Sequence, residues 1–459
     1  MSFINRLKHM LGSSSEERRD RSEAPDGIAP HIFPKGKHAL NRKKISSAAI
    51  KVMQGLHRAG FEGLLVGGGV RDLLLGDSPK DFDIATNATP EQVKNAFRGA
   101  RIIGRRFKIV HVRFGREIIE VTTFRAQHEA KETKGRKPTN QHSASGKGGM
   151  LLRDNVFGTI EDDAIRRDLT INALYFCSKD DTVYDYTNGI ADLNDRLIRI
   201  IGDPETRYRE DPVRMLRVVR FAAKLNFTIE TATAEPIKTL AHSLANISAA
   251  RMFDEVLKLF MGGYSVATFD LMMEYDLFTP LFPDLAHSFK NDDGYGEGLI
   301  RQALINTDLR ISQGKHVTPA FIYAALLWPS VRNRQQQLMS ERVPETPALH
   351  QPSQEIISRQ QQHTAIPRRF SMPMREIWDL QLKLPKRGGN RAERTLENPR
   401  FRAAYDFLLL REQAGENTNE LGQWWTDYQE RSPDQREAMT QALPKNSPRK
   451  RPRKRTKKS

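Results

Sequence analysis

The chain has 459 residues, room for about two to four domains, and carries 73 Lys+Arg against 56 Asp+Glu, a formal net charge of +17. That balance suits a polyanionic partner. A single cysteine, Cys177, excludes an intramolecular disulfide and fits a reducing compartment, and the lack of any run of about 18 apolar residues argues against a membrane span, so a cytoplasmic location is expected.

Met1–Gly27 carries charges throughout and no apolar core, so it does not read as a secretory signal, and residues 1–44 as a whole read as a flexible basic extension. Ile45–Ala59 reads as a helix with Ile45, Ala49, Val52, Met53 and Leu56 on one face and Gly60 as its stop. Leu64, Leu65 and Val66 form a short apolar run that ends at Gly67, Gly68 and Gly69. Val70–Leu75 then predicts one or two helical turns, stopped near Gly76. A strand, a glycine turn and a helix start present backbone N–H groups to an anion, and glycine lets a phosphate come close. Arg71 follows with a guanidinium fork that suits phosphate oxygens. No Gly-Lys-Ser/Thr follows and GxGxxG is missing, which excludes a P-loop and a Rossmann fingerprint.

Asp81-Phe82-Asp83-Ile84-Ala85 reads as a strand. Residues two apart share a face, so Phe82 and Ile84 should point inward while Asp81 and Asp83 point out together. Like charges that close repel unless a cation lies between them. Magnesium suits the purpose, since it binds through a few carboxylates plus substrate oxygens. Thr89-Pro90-Glu91-Gln92 starts a helix that runs to about Arg98. Lys108–Phe114 and Glu117–Phe124 form a hairpin about Gly115-Arg116. Glu120, flanked by apolar residues, is the better candidate than Glu117 for a third carboxylate.

Arg125–Leu151 is polar, Lys- and Gly-rich and aperiodic, and reads as a mobile loop beside the site. Ala164–Phe176 predicts a helix with Ile165, Leu169, Ala173 and Phe176 on its apolar face, capped by Asp162 or Asp163. Arg166 and Arg167 are cations of the kind a triphosphate needs, and Asn172 should have a specific hydrogen-bond partner. Glu210–Arg217 starts another helix, with Pro212 in its first turn and Asp211 and Arg214 on one face. From Ala241 onward helical periodicity dominates. Gln335–Pro367, rich in Gln and Pro, reads as a linker or long loop. Trp378 and Phe401–Leu410 begin a last helical piece. Residues 441–459 hold nine positives and no acid, and read as a disordered tail that adds salt-dependent RNA affinity.

Four blocks, Gly68–Asp72, Asp81–Asp83, Arg166–Leu174 and Glu210–Arg214, stand in the order GG-x-VRD, DxD, RRD-x-T-x-NAL, EDxxR. In this the chain resembles the class II polymerase-β-type nucleotidyltransferases, which include bacterial poly(A) polymerases and CCA-adding enzymes. Ile102–Phe107 with Ile109–Val112, and Arg375–Leu382 with Pro399–Phe407, resemble segments of the bacterial poly(A) polymerases. The resemblance implies an α+β fold: a polymerase-β-like nucleotidyltransferase head with a mixed sheet, followed by all-helical neck and body domains. The expected parts are a head at 45–180, a nucleobase-reading neck at 181–240, a helical RNA-binding body at 241–334, the linker at 335–367, a C-terminal helical RNA-binding region at 368–440 and the tail.

The resemblance also implies an activity. The RNA 3′-hydroxyl attacks the α-phosphorus of ATP without a template, yielding a 3′ A-tail that promotes RNA decay. Asp81, Asp83 and Glu120 would hold two magnesium ions, with manganese as an alternative. The catalytic set is then Asp81, Asp83, Glu120 and Asp163, although Asp163 as helix cap stays open. The nucleotide-binding set is Gly68, Gly69, Arg71, Asp72, Arg167, Asp168, Asn172, Asp211, Arg214 and Arg217. Within it Asp211 and Arg214 would read a base edge, a pairing that fits adenine and cytosine alike, and Arg217 would reach phosphate. RNA 3′ ends and ATP are the expected partners, with no membrane. The alternatives are CCA addition to tRNA and a non-catalytic RNA-binding protein.

Overall fold

The computed structural model describes residues 29–104, 108–126, 157–289 and 293–444. Most of the expected basic extension, Arg105–Phe107, nearly all of the expected mobile loop and most of the expected tail lie outside the described residues.

The head is built on an eight-stranded sheet: β1 (His31–Phe33), β2 (Leu64–Val66), β3 (Asp83–Thr86), β4 (Arg101–Ile103), β5 (Ile109–Phe114), β6 (Glu117–Thr123), β7 (Leu174–Cys177) and β8 (Thr182–Asp185). Their order is β1-β8-β7-β2-β3-β6-β5-β4. The sheet is mixed because β3 and β6 run parallel while the other neighbours are antiparallel. Alternation along the strands gives each face its own packing. Leu65, Ile84, Val121 and Phe176 join the main core with Ala49, Val52, Met53 and Leu56 of α1 (Ser47–Arg58). Val66, Ala85, Tyr175 and Tyr184 form a second cluster with Ile160 and Ala164 on the opposite face.

Helices α2 (Gly68–Leu74) and α3 (Pro90–Ala96) follow β2 and β3, and α4 (Ile160–Ile165) covers the second cluster. Ser46 caps α1, Gly60 ends it at φ +85°, and Thr89 with Gln92 makes a capping box on α3. The neck holds α5 (Gly189–Asn194), α6 (Pro204–Glu210) and α7 (Val213–Leu225). It also carries a two-residue parallel pair, β9 (Leu197–Ile198) with β10 (Thr228–Ile229), where helices alone were expected. Helices from Thr231 to Gln441 make up the rest. Among the described residues no single helix is long and apolar enough to cross a membrane.

Four expectations need correction. His31–Phe33, inside the expected extension, is an edge strand in register with Val183–Asp185. The head's sheet therefore runs past residue 180, through the β7–β8 hairpin. The expected helix Ala164–Phe176 is three elements: the end of α4, a 3-10 turn at Thr170–Asn172, and β7. Leu169, Ala173 and Phe176 are buried as expected. All four residues of β7 are buried because its strand is central and covered on both faces, and such a run mimics a helix stripe.

The expected linker at 335–367 holds the end of helix Pro319–Ser340 and all of helix Glu345–His363. Ala348, Leu349, Pro352, Ser353, Ile356, Ile357 and Gln360 are its buried residues, a stripe at helical spacing. Its Gln- and Pro-rich composition hid that stripe.

Candidate active site

Strand β2 delivers the chain to Gly67, whose φ of +75° with ψ of −135° belongs to glycine. Its N–H donates to the Leu174 carbonyl at 3.3 Å, and its carbonyl accepts from Arg71 N at 3.1 Å. A Cβ on Gly68 or Gly69 would meet only ordinary contacts, 3.5 Å to Arg71 Nη2 and 3.6 Å to the Asp81 carbonyl. The conformational demand thus falls on Gly67, which the motif residues alone did not single out. Gly68 is partly exposed, while Gly69 is buried against Leu65 and Phe82.

The acidic residues stand beside this turn. Val66, Asp83, Glu120 and His111 are consecutive register partners across β2, β3, β6 and β5. Partners in one row share a face, so Asp83 and Glu120 project together. Asp81 and Asp83 are exposed while Phe82 and Ile84 are buried, as the alternation predicts. Glu117 lies opposite Phe114, three residues further along, which leaves Glu120 as the neighbour of Asp83. His111 Nε2 sits 3.3 Å from Glu120 Oε1.

The Asp83 carboxyl is pushed up to about 6. Burial by neighbouring atoms is the largest cause, the Glu120 charge adds to it, Arg167 opposes it and Asp81 contributes further in the same direction. Among the described residues no group of three or more His, Cys, Asp or Glu side chains is placed to hold a metal ion by itself. Three carboxylates with an uncompensated charge at Asp83 nonetheless match what a hard divalent cation takes, since such a cation draws its remaining ligands from substrate and water. By residue type and register the three would supply part of the oxygen ligand set such an ion takes.

Asp163 does not cap α4. Thr159 caps α4, and Asp162 completes the capping box. Asp163, 3% exposed, accepts from Arg167 Nη2 at 2.8 Å, Tyr175 Oη at 2.8 Å and Arg166 Nε at 3.3 Å. Burial alone would raise its pKa, but the Arg167 and Arg166 guanidiniums hold it below the usual carboxylate value. Asp163 therefore anchors Arg167. The Nη1 of Arg167 lies 3.7 Å from the position a Gly67 Cβ would take, and its charge is felt at Asp83. Tyr175, which shares this network, carries no signal in the sequence beyond its place in an apolar run.

Three further candidates are occupied by protein partners. Arg71 is 2% exposed; it donates to Asp72 Oδ1 at 2.8 Å and to Asn172 Oδ1 at 2.6 Å. All three of its guanidinium nitrogens are thereby engaged. Asn172 thereby has its expected partner. Arg217 ion-pairs with Asp168 and so is engaged rather than free for phosphate.

Asp211 and Arg214 share the entry to α7 but do not pair through their side chains. Asp211 accepts from Arg251 Nη2 at 2.6 Å. Arg214 donates from Nε to Asp168 at 2.7 Å and from Nη1 to Glu210 at 2.7 Å and the Arg207 carbonyl at 2.8 Å. Burial would raise the Asp168 pKa, but Arg217 and Arg214 bring it down to about 2. Asp168 is the ionic joint between head and neck. Glu210, Arg207 and Arg251 complete that joint; spacing could not reveal them because their contacts are made between separate elements.

The chain is similar to known proteins over most of its length. Residues 64–199 match the poly A polymerase head domain, 226–289 the probable RNA and SrmB-binding site of polymerase A, and 341–459 the polymerase A arginine-rich C-terminus. Poly(A) polymerase I of Salmonella typhimurium (strain LT2) is 49% identical over 432 residues, covering 93% of this chain and 92% of that protein. A CCA-adding enzyme of Lactobacillus helveticus is 37% identical over 238 residues, 52% of this chain and 55% of that one. The crystal structure of the Bacillus stearothermophilus CCA-adding enzyme in complex with CTP superposes with a TM-score of 0.52 at 24% identity, covering 83% of this chain and 80% of that one.

Proposed function

Because the chain belongs to the poly(A) polymerase family of nucleotidyltransferases, we propose that it adds AMP from ATP to RNA 3′ ends without a template. One observation carries the reading. The β3–β6 register sets Asp83 beside Glu120, with Asp81 two residues away, next to a glycine turn flanked by Arg167.

The N–H groups of the turn at Gly68 and Gly69, together with Arg167, hold the triphosphate. Asp163 and Tyr175 fix Arg167 in that position. Asp81, Asp83 and Glu120 would bind magnesium, which supplies charge neutralisation at the attacking and leaving oxygens. The 3′-hydroxyl oxygen attacks the α-phosphorus in line and pyrophosphate departs. Arg71 and Asp72 keep the helix start rigid through Asn172.

Base choice falls to Asp211 and to Nη2 of Arg214, the part of that guanidinium left over after Asp168 and Glu210 are bound. A carboxylate accepts from an exocyclic amine and an N–H donates to a ring nitrogen, so this pair admits adenine or cytosine. The match to poly(A) polymerase over nearly the whole chain, against half of it for the CCA-adding relative, favours adenylate tails. Supplying an RNA with ATP alone or CTP alone tests this. Long tails from ATP are expected. One or two added residues from either nucleotide would point to CCA addition, and no pyrophosphate release would point to a non-catalytic RNA-binding protein.

A further inference from the structure

The head has a second basic surface, on the far side of the sheet from the carboxylates. A cavity of about 530 Å³ opens between the ends of α1 and α3 and the tip of the β5–β6 hairpin. Lys51, Arg58, Arg98, Phe97 and Phe114 line it with small residues between them, and no acidic side chain does. Lys51, Arg58 and Arg98 are exposed and form no ion pair among the described residues. Some other exposed cations of the head are paired, Lys35 with Asp181 and Lys108 with Glu91. Arg58 and Arg98 stand at helix C-terminal ends, where a cation is favourable by itself. Lys51 stands in the second turn of α1 and has no such role.

The aromatic side is built in. Gly55 of α1 lets the Phe97 ring lie directly against the helix, since a Cβ there would come within 2.4 Å of Phe97 Cε1. Phe97 and Phe114 are both half-buried, each leaving part of its ring at the cavity. Cations around a trough with two aromatic rings match the chemistry of single-stranded nucleic acid, whose phosphates need positive charge and whose bases stack on rings. Phe114 lies three residues from the partner of Glu120 along β5, about 10 Å at strand spacing. A chain leaving the carboxylates can therefore reach the groove around the hairpin.

We propose that this groove holds an upstream segment of the single-stranded RNA whose 3′ end is being extended. Phosphates lie among Lys51, Arg58 and Arg98, and a base rests against Phe97 and Phe114. The inference rests on the RNA-extending reading above. The groove is open, as a passing chain requires, and the net charge of +17 favours a polyanion over a neutral ligand.

The test compares the full-length protein with a Lys51→Ala/Arg58→Ala/Arg98→Ala variant and with Phe97→Leu. Binding of 3-nucleotide and 30-nucleotide RNAs is measured over a salt series, with extension of the short RNA by ATP alongside. The triple variant should lose about tenfold in affinity for the long RNA, and its salt slope should fall by about 2, as for three lost phosphate contacts on a single strand. Phe97→Leu should weaken long-RNA binding about fivefold with the slope unchanged. Short-RNA binding and extension should stay as in the unmodified protein. Unchanged long-RNA affinity with normal extension overturns the proposal and leaves the activity standing. An equal loss for both RNAs also overturns it. No extension of any RNA by the unmodified protein would instead reject the activity.

Discussion

Replacing Asp83 with Asn should stabilise the protein while removing its activity. The carboxyl is pushed from 3.8 to about 6, so in the folded state its ionisation is opposed. At about 1.4 kcal/mol per pH unit the ceiling on this cost is about 3 kcal/mol. Solvent reaches the side chain, and screening brings the expected gain from Asp83→Asn down to about 1 kcal/mol.

The sign follows from linkage. Below 3.8 the carboxyl is protonated in both folded and unfolded chains and costs nothing. Between 3.8 and about 6 the unfolded chain loses its proton first, and the penalty grows until it is complete above about 6. Calorimetry without divalent cations should thus find the variant melting higher at pH 8, by about 2 °C for a domain of this size. At pH 4 the two proteins should coincide. Adding magnesium should raise the unmodified protein alone and close the gap. A variant no more stable at pH 8, or a gain that persists at pH 4, would refute the picture of an uncompensated carboxylate pair.

Other substitutions probe the neighbouring parts. Asp168→Asn leaves Arg214 and Arg217 without their half-buried carboxylate and should cost about 2–3 kcal/mol in urea denaturation. Its ion pairs contribute fully above the ordinary carboxylate value and fade as pH falls through about 2, so the native protein should keep this contribution at pH 4. Gly67→Ala forces a side chain into a positive-φ turn and should destabilise by about 1–2 kcal/mol, with a rise in KM for ATP; an unchanged KM would place the triphosphate elsewhere. Asp163→Asn frees Arg167 and should lower kcat/KM for ATP about tenfold while RNA affinity holds. A loss confined to RNA binding would reject the positioning role.

The carboxylate half of the site was legible in the sequence because strand alternation is a local property. Phe82 and Ile84 went inward, and Asp81 and Asp83 outward, as period two requires. Glu120 was separable from Glu117 by its apolar neighbours, and the register sets it next to Asp83. The cationic half was not legible. Arg71 and Arg217 suggested phosphate ligands by type and Arg214 a base-edge donor, yet each is engaged by Asp72, Asp168 or Glu210. Which guanidinium remains free depends on carboxylates in other elements, and spacing along the chain carries no such information. The same limit applies to β7, whose burial on both faces erased its period, and to Glu345–His363, where proline and glutamine masked an amphipathic stripe.

The most direct measurement is extension of an unstructured RNA by ATP alone, with Asp83→Ala run in parallel and RNA affinity recorded for both. The account predicts long adenylate tails and released pyrophosphate from the unmodified protein, and from the variant neither product but full RNA binding. Tails that persist in Asp83→Ala would contradict it, as would an unmodified protein that binds RNA and never lengthens it.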